Sequence, residues 1–426
     1  MMESNRFTDI VRYAYRYVPM YMRREAAYEK IEKWEDIPIL RKEELQKNPD
    51  SSYSCEFMNA VRREDIAKMH TSGSTGKCLE FYWHKDDYAR SLLPVWILRR
   101  KFYGISTNDK MCYFYTTPNG YNEINESGLR ERRRYTLGFS KSNLTHERLL
   151  KIYRDITEFE PAWLFIQPSM AVLLCDIAEE TGNGIPGLKY IELTGEMLTE
   201  HVRQRIKKVF GCYVANHYGS HEVNTIALEC PEGHMHIVDN NILVEVIDED
   251  TKELLPEGEE GRLLITSAVN RVSPFIRYDI GDRGRVFGKS AEDKCSCGCN
   301  MPVLELTKGR VHEYIETENG EKINAYIFVH AVEKINNAYE SCIKQYKIIQ
   351  TDYDRFKVKL VVDDEIEELG IDKRDIEELF RQSITHPGME ESKYEFEYFE
   401  RILQDDGKGK MLWYEKNNCE LKETNE

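Results

Sequence analysis

The chain has 426 residues, of which 41% are hydrophobic and 31% are charged, and its formal net charge at pH 7 is −16. Its length exceeds the usual size of one domain, and its composition is typical of a globular enzyme, which excludes a disordered or fibrous chain. With 75 acidic residues against 59 basic ones, the chain has no surplus of cations for a phosphate backbone, so nucleic acid is disfavoured as a partner.

The first residues lack the apolar stretch of a signal peptide, and no apolar run reaches the length of a membrane span. The 11 cysteines are an odd number and are scattered along the chain, so they are interpreted as reduced thiols with one metal cluster at most. We therefore expect a soluble, cytoplasmic protein without a disulfide framework.

The first half of the sequence alternates helical and strand patterns. Apolar residues at helical spacing predict an opening helix that ends near Pro19, and a second helix over 86–104. Strand-length apolar runs then stand between amphipathic stretches, at 111–117, 162–167, 188–195 and 212–219. This alternation predicts βαβ units and a largely parallel sheet.

The pattern changes after about residue 230. The alternating segment 236–248, the Gly-containing turn 255–261 and the apolar run 262–268 predict antiparallel hairpins. The expected fold class is α/β, with a large N-terminal domain of βαβ-built sheets over 1–308 that includes a hairpin-rich β subdomain near 230–300. The remaining residues, 309–426, are long enough to form a small α+β C-terminal domain.

The strongest local signal is HTSGSTGK, which spans His70–Lys77. Hydroxyl side chains, two glycines and a lysine make a loop whose donors can point at phosphate oxygens, since glycine permits close backbone approach. The spacing differs from the loop GxxxxGK[ST], because only two residues separate Gly73 from Gly76 and Cys78 stands where Ser or Thr is required. A Walker-type NTPase is thus disfavoured, and a flexible polar turn is the structural alternative.

Five segments together carry a family resemblance: HTSGSTGK (70–77), ELTGEML (192–198), HYGSHE (217–222), IRYDIGD (276–282) and KGRVHEY (308–314). In this order and spacing they resemble adenylate-forming enzymes, the superfamily of acyl-CoA synthetases, peptide-synthetase adenylation domains and luciferases. The resemblance is strongest to the phenylacetate–CoA ligase branch and its capsular-polysaccharide-type relatives. It implies ATP-dependent adenylation of a carboxylic acid and a mobile C-terminal lid domain.

The resemblance also assigns site residues. Glu222 would bind Mg²⁺, a hard cation that takes one or two protein carboxylates, and Asp282 would accept both ribose hydroxyls with its two oxygens. The segment KGRVHEY has His312 at the hinge position, where the family has Asp or Lys, which weakens that assignment. The other implied positions are Thr71, Ser72, Gly73, Ser74, Thr75, Gly76 and Lys77 for the departing phosphates, Gly195, Glu196, Tyr218 and Gly219 for adenine, and Arg310 for ribose and phosphate.

The family also has a C-terminal lysine that contacts the carboxylate and α-phosphate during adenylation. The segment DDGKGKMLWY offers Lys408 and Lys410, and the relatives' pattern favours Lys410. A surface loop is the alternative interpretation of this pair.

Two cysteine- and histidine-bearing segments predict a metal site. CPEGHMH contains Cys230, His234 and His236, and CSCGC contains Cys295, Cys297 and Cys299. Zinc sites combine thiolate and imidazole ligands, commonly as half-sites on tight turns. The phenylacetate–CoA ligase branch has a similar arrangement, which favours Cys230, His236, Cys295 and Cys297 as ligands of a structural Zn²⁺, with Cys299 and His234 as spare candidates and unligated thiols as the alternative.

The resemblance places the acyl group against aromatic residues with a few polar groups, a mix that suits a flat, modest-sized acid. These residues are Tyr115, Phe165, Gln167, Pro168, Ser169 and His217. CoA is the expected acceptor. The alternative acceptor is the phosphopantetheine of a carrier protein, an amine or a hydroxyl. A non-catalytic nucleotide-binding scaffold is a remote alternative to the enzymatic function. A homodimer is expected from the family's relatives.

Overall fold

The computed structural model describes residues 5–23, 31, 33–57, 64–70, 79–115, 129–141, 144–288, 295–308, 314–320, 322–339, 342–363, 366, 370–402 and 413–416. Several predicted features lie outside these ranges: the phosphate loop 71–77, the boundary at Gly309, Arg310, His312, Lys408 and Lys410. Among the helices within these ranges, none combines the length and apolarity that a bilayer crossing requires.

The described residues form nine α-helices and twenty strands. The helices are α1 Arg6–Tyr17, α2 Pro19–Met22, α3 Lys42–Lys47, α4 Lys85–Tyr103, α5 His146–Phe159, α6 Pro168–Thr181, α7 Glu200–Phe210, α8 Tyr326–Ala338 and α9 Lys373–Ser383. The strands are β1 Ile66–His70, β2 Glu80–His84, β3 Met111–Tyr115, β4 Leu129–Arg132, β5 Thr136–Ser140, β6 Trp163–Ile166, β7 Tyr190–Thr194, β8 Tyr213–Ser220, β9 Asn224–Glu229, β10 Met235–Ile237, β11 Ile242–Ile247, β12 Gly261–Ser267, β13 Tyr278–Phe287, β14 Val303–Lys308, β15 Tyr314–Glu316, β16 Lys322–Asn324, β17 Ile343–Asp352, β18 Arg355–Val362, β19 Lys393–Tyr398 and β20 Tyr414–Lys416.

The chain divides into two compact units, each made of two separate segments. Unit 1 comprises 1–107 and 215–312, and unit 2 comprises 108–214 and 313–426. Among the described residues, unit 1 has one hydrophobic core and unit 2 has two, one in each of its segments. The mixed α/β class predicted from the sequence is confirmed.

Unit 1 is built on antiparallel strands. They lie in the order β11-β12-β13-β14-β10-β9-β8, and the hairpin β1–β2 stands apart from them. Its core includes Val11 and Ala14 of α1, which lie on the buried face of a helix whose N-terminus is capped by the Asn5 side chain. Antiparallel pairing begins with β8 and β9, so this architecture starts earlier than residue 230, where the sequence pattern placed the change.

The first segment of unit 2 is a parallel βαβ layer. Strands β7, β6, β3 and β5 lie side by side and run parallel, and β4 adds an antiparallel edge. The helices have definite ends: Thr145 and Thr199 cap the N-termini of α5 and α7, and Gly182 and Gly211 end α6 and α7 in the left-handed conformation. Because β5, β6 and β7 run parallel, the loops that follow them lie at one edge of the sheet.

The second segment of unit 2 has its own sheet and helices. Strands lie in the order β19-β18-β17-β20, and α8 and α9 contribute to the core beneath them. Phe328 and Phe380 stack at 6.1 Å between ring centroids, and Phe356 meets Phe328 at 5.3 Å. The sequence prediction of strand and helix alternation in this region is borne out.

Asp176 of α6 joins the two segments of unit 2. Its carboxylate accepts a hydrogen bond from Arg205 at 2.7 Å and another from the Gln345 amide at 3.2 Å, and the Arg401 guanidinium lies 3.6 Å away. Gln345 in turn accepts the backbone N–H of Ile402 at 2.9 Å. One largely buried carboxylate thus holds both a C-terminal strand and the segment after β19.

We expect Asp176→Ala to loosen the C-terminal segment without unfolding the chain, because Arg401 and Gln345 lose their shared acceptor while the three cores stay intact. Amide hydrogen exchange near residues 399–402 should accelerate about tenfold. Glu158→Ala, on the exposed face of α5, is the matched control. Unchanged exchange in the Asp176 variant would show that other contacts hold this segment.

Candidate active site

Two motifs, HYGSHE and IRYDIGD, meet in unit 1. Glu222 lies in the turn after β8, Asp282 lies within β13, and their exposed fractions are only 7% and 9%. The Tyr218 hydroxyl donates to Asp282 Oδ2 at 2.6 Å, and the Tyr278 hydroxyl donates to Glu222 Oε1 at 3.2 Å. The fold therefore brings together the two carboxylates to which the family resemblance assigns the metal ion and the ribose.

The turn that carries Glu222 is fixed from outside the motif. The indole N–H of fully buried Trp83 donates to the carbonyl of His221 at 3.3 Å. Position 219 has no room for a side chain, because a Cβ atom on Gly219 would lie 2.5 Å from the carbonyl oxygen of Asn224. Trp83 belongs to β2, the strand that follows the predicted phosphate loop in the sequence. Local sequence did not single out this tryptophan, since its role depends on a tertiary contact.

Arg277 fixes the start of β13. It is a non-glycine residue with φ of 46°, and its buried guanidinium pairs with Glu245 at 3.0 Å. It also donates to the carbonyl oxygens of Glu35 and Ile37, each at 2.7 Å. Burial raises the pKa of the Glu245 carboxyl, and the Arg277 charge opposes that rise. These contacts hold Arg277 in a backbone conformation that an isolated segment rarely adopts, and they thereby fix the start of β13 and the position of Tyr278.

The donor sets fit the chemistry that the resemblance implies. Asp282 presents a carboxylate, which can accept two ribose hydroxyls, and its hydrogen bond from Tyr218 fixes its orientation. Glu222 supplies one hard, buried carboxylate, which suits Mg²⁺ that is also bound by phosphate oxygens. Burial raises the pKa of the Tyr278 phenol, and the charge of Glu222 adds to this effect, so the phenol remains a donor.

Unit 2 brings together a second group of predicted residues at the carboxyl edge of its parallel strands. Glu196 accepts hydrogen bonds from the backbone N–H and the hydroxyl of Ser169, both at 3.0 Å. Because Ser169 lies in the first turn of α6, this carboxylate caps the helix N-terminus. The side chain of Gln167 lies 3.9 Å from the position of a Cβ atom on Gly195. The predicted role of Glu196 beside adenine remains a prediction.

Lys141 is a residue at this edge that the sequence did not single out. It directly follows β5 and is only 5% exposed. Burial lowers the pKa of its ammonium group, and the nearby charge of Glu196 opposes that shift. A lysine directly after a buried strand, in a chain with parallel strands, is the signal that could have identified it.

The remaining predicted pocket residues are distributed over both units. Phe165 lies in β6 beside Trp163, and Pro168 is the buried first residue of α6. His217 is buried in β8 and belongs to unit 1. Tyr115 ends β3, and its side chain is outside the described part of the structure. Their shared role as an acyl pocket remains a prediction.

The predicted metal ligands converge in unit 1. The ligand atoms of Cys230, His236, Cys295 and Cys297 all lie within 4.8 Å of one another. Cys230 Sγ is 3.9 Å from Cys295 Sγ, and Cys297 Sγ is 3.2 Å from His236 Nε2. His236 Nδ1 lies 3.0 Å from the carbonyl oxygen of Met301, which orients Nε2 toward the thiols. Three sulfurs and one imidazole nitrogen are a donor set that fits tetrahedral Zn²⁺.

Two tight turns create this cluster. Gly233 and Gly298 have φ values of 84° and 71°, and their N–H groups donate to the carbonyls of Cys230 and Cys295. The spare candidate His234 lies with Nδ1 3.2 Å from Cys295 Sγ but is exposed, and Cys299 is buried beside the cluster. The fold therefore brings together the four residues that the sequence favoured as ligands, Cys230, His236, Cys295 and Cys297.

Comparisons with known proteins agree with this geometry. Residues 132–270 match the family described as AMP-binding enzyme, and residues 315–417 match the CapK C-terminal domain. The chain is 28% identical to a phenylacetate-coenzyme A ligase of Thermus thermophilus, over 82% of this chain and 77% of that protein. It is 23% identical to protein CapK of Staphylococcus aureus, over 79% and 71% of the two chains.

A solved structure confirms the fold. The crystal structure of 2-hydroxyisobutyryl-CoA ligase in the postadenylation state superposes with a TM-score of 0.73, at 19% identity, over 97% of this chain and 88% of that one. The fold is that of adenylate-forming enzymes, and the matches to the AMP-binding enzyme family and to the CapK C-terminal domain agree with it. In sequence, the chain is similar to phenylacetate-coenzyme A ligases and to CapK.

Proposed function

We propose that this protein activates a small carboxylic acid with ATP as an acyl-adenylate, releases pyrophosphate, and transfers the acyl group to the thiol of CoA. The observation that carries the proposal is the meeting of Glu222 and Asp282 within one unit, each buried and each fixed by a tyrosine hydroxyl. The similarity to a phenylacetate-coenzyme A ligase, with which this chain aligns over most of its length, supports it. ATP and CoA are cytoplasmic substrates, so the proposed location is the cytoplasm.

The proposed roles follow the charges that develop during adenylation. Asp282 would bind the ribose hydroxyls and Tyr218 would lie against adenine. Lys77, with the hydroxyls and amides of residues 71–76, would hold the departing phosphates. Magnesium, held by Glu222, would supply positive charge next to the phosphate oxygens. Positioned donors and cations of this kind stabilise the transition state without a covalent intermediate on the protein.

The cysteine and histidine cluster is proposed to bind one structural Zn²⁺. Its position at the ends of β9, β10 and the loop before β14 lets a metal join three segments of unit 1. Adenylation needs no zinc-bound water, so stabilisation of the fold is the proposed contribution of this site.

The C-terminal residues 309–426 are proposed to act as a lid domain that carries the catalytic lysine, Lys410. We expect Lys410→Ala to lower the rate of adenylate formation about a hundredfold or more while leaving thioester formation from the isolated adenylate largely intact. Lys408→Ala is the matched control. A normal adenylation rate in the Lys410 variant, with loss in the Lys408 variant, would transfer the role to Lys408.

The proposed substrate is an aryl or other small acid, and the acceptor is tested together with it. Pyrophosphate release should be measured over a panel of aryl and short-chain acids, with and without CoA. We expect release that depends on the acid and a thioester product when CoA is present. Acid-dependent release without a thioester would favour the second candidate, transfer to a carrier protein, an amine or a hydroxyl. No release with any acid, despite ATP binding, would favour a non-catalytic scaffold.

A further inference from the structure

The two motifs of the site exchange hydrogen bonds with each other. In both motifs a tyrosine precedes the functional carboxylate by four residues: Tyr218 before Glu222, and Tyr278 before Asp282. Each tyrosine donates to the carboxylate of the other motif, Tyr218 to Asp282 at 2.6 Å and Tyr278 to Glu222 at 3.2 Å. We call these two reciprocal hydrogen bonds the tyrosine cross-brace.

The cross-brace joins buried groups, which distinguishes it from surface contacts. Glu222, Asp282 and Tyr278 are all buried, and all four residues belong to unit 1. The backbone on both sides is fixed independently, by Trp83 at the turn of Glu222 and by Arg277 at the start of β13. Two phenol donors thus act between two segments that have further hydrogen bonds of their own, and in such a setting the position of a hydroxyl can determine the orientation of a carboxylate.

A carboxylate has two oxygens in one plane, so a donor that fixes one oxygen also fixes the direction of the other. Tyr278 contacts Oε1 of Glu222, and Tyr218 contacts Oδ2 of Asp282. If these contacts only satisfied buried groups, removing either hydroxyl would lower stability and affect both ligand functions equally. If they orient the carboxylates, each removal affects the function in the opposite motif.

We propose that the hydroxyls of Tyr218 and Tyr278 are positioning groups. The Tyr218 hydroxyl orients the ribose-binding carboxylate of Asp282, and the Tyr278 hydroxyl orients the cation-binding carboxylate of Glu222. This inference rests on the proposed function, because it takes Asp282 as the ribose ligand and Glu222 as the cation ligand. It adds a crossed dependence between the motifs. Tyr278, in the motif IRYDIGD that contains Asp282, supports cation binding, and Tyr218, in the motif HYGSHE that contains Glu222, supports ribose binding.

The test uses phenylalanine variants of the full chain, which keep the aromatic ring and remove only the hydroxyl. Affinity for AMP without divalent cation, measured by calorimetry, reports the ribose site. Affinity for Mn²⁺ in the presence of α,β-methylene-ATP, measured by electron paramagnetic resonance, reports the cation site. We expect Tyr218→Phe to weaken AMP about fivefold with Mn²⁺ affinity within twofold of the parent, and Tyr278→Phe to produce the opposite pattern.

Tyr82→Phe is the matched control, because it removes a tyrosine hydroxyl that donates to a glutamate, Glu80, at 2.8 Å outside the two motifs. A double-mutant cycle adds a readout that a structural role would not produce. In a Glu222→Gln background, the effect of Tyr278→Phe on Mn²⁺ should disappear, since the hydroxyl acts through that carboxylate.

Equal losses of both affinities in each tyrosine variant, or no change in either, would overturn the cross-brace proposal. Persistence of the Tyr278 effect in the Glu222→Gln background would overturn it as well. Failure of the parent protein to bind AMP and the Mn²⁺–nucleotide complex would contradict both this inference and the proposed function. Normal binding by the parent without the crossed pattern would contradict the cross-brace alone.

Discussion

Asp282→Ala should weaken ATP binding by roughly a hundredfold or more. The buried carboxylate would accept both ribose hydroxyls, and each hydrogen bond to a charged acceptor contributes about 1.5–3 kcal/mol. The variant also leaves the Tyr218 hydroxyl without its acceptor in Asp282. Calorimetric titration with ATP gives the affinity directly, and AMP titration separates the ribose contribution from that of the phosphates.

Asp279→Asn is the control for this prediction. Asp279 lies on the same strand, but its carboxylate pairs with Arg262 at 2.7 Å. We expect this change to alter ATP affinity by less than about threefold. An Asp282→Ala protein that is folded and binds ATP as tightly as the parent would contradict both the ribose assignment and the nucleotide site built on it.

Cys297→Ser should remove the bound metal and lower the thermal midpoint of unit 1 by roughly 10 °C or more. Structural zinc sites contribute their binding free energy to folding, and a loss of several kcal/mol shifts a unit of roughly 200 residues by this amount. Elemental analysis of protein purified without chelator should give about one zinc per chain before the change, as expected of a four-ligand site. Calorimetric scans then give the midpoint.

Cys55→Ser is the matched control, since this cysteine is exposed and outside the cluster. It should retain the metal and the midpoint of the parent protein. Protein that contains no zinc before any substitution, or a Cys297→Ser variant with unchanged stability, would show that the cluster is a set of reduced thiols.

The sequence predicted the elements more accurately than their arrangement. The predicted strand segments at 111–117, 162–167 and 188–195 contain β3, β6 and β7, because short buried apolar runs bounded by turns have few other structures available. The start of the antiparallel region was placed too late. The pattern of apolar residues in segment 212–219 is the same as in a parallel strand. Only the pairing of β8 with β9 in the structure shows an antiparallel arrangement.

The four favoured ligands of the predicted zinc site were named from the sequence, and they converge in the fold, while the bound metal itself stays a prediction. Cysteine and histidine are few, and their spacing on turns is informative. The contributions of Tyr278, Arg277 and Trp83 were not predicted. Each depends on a partner far away in the sequence, and tyrosine, arginine and tryptophan occur too widely for local spacing to mark such a contact.

By itself, the sequence predicted the resemblance to adenylate-forming enzymes, the α/β class and the two motif carboxylates, because ordered motifs and hydrophobic periodicity can be read from the sequence alone. Only the tertiary structure decided which groups surround those carboxylates: the crossing of Tyr218 and Tyr278 between motifs, and the joining of two C-terminal contacts at Asp176. The physical reason is that hydrogen-bond partners are selected by distance and direction in space, and these are set by packing between segments separated by tens to hundreds of residues.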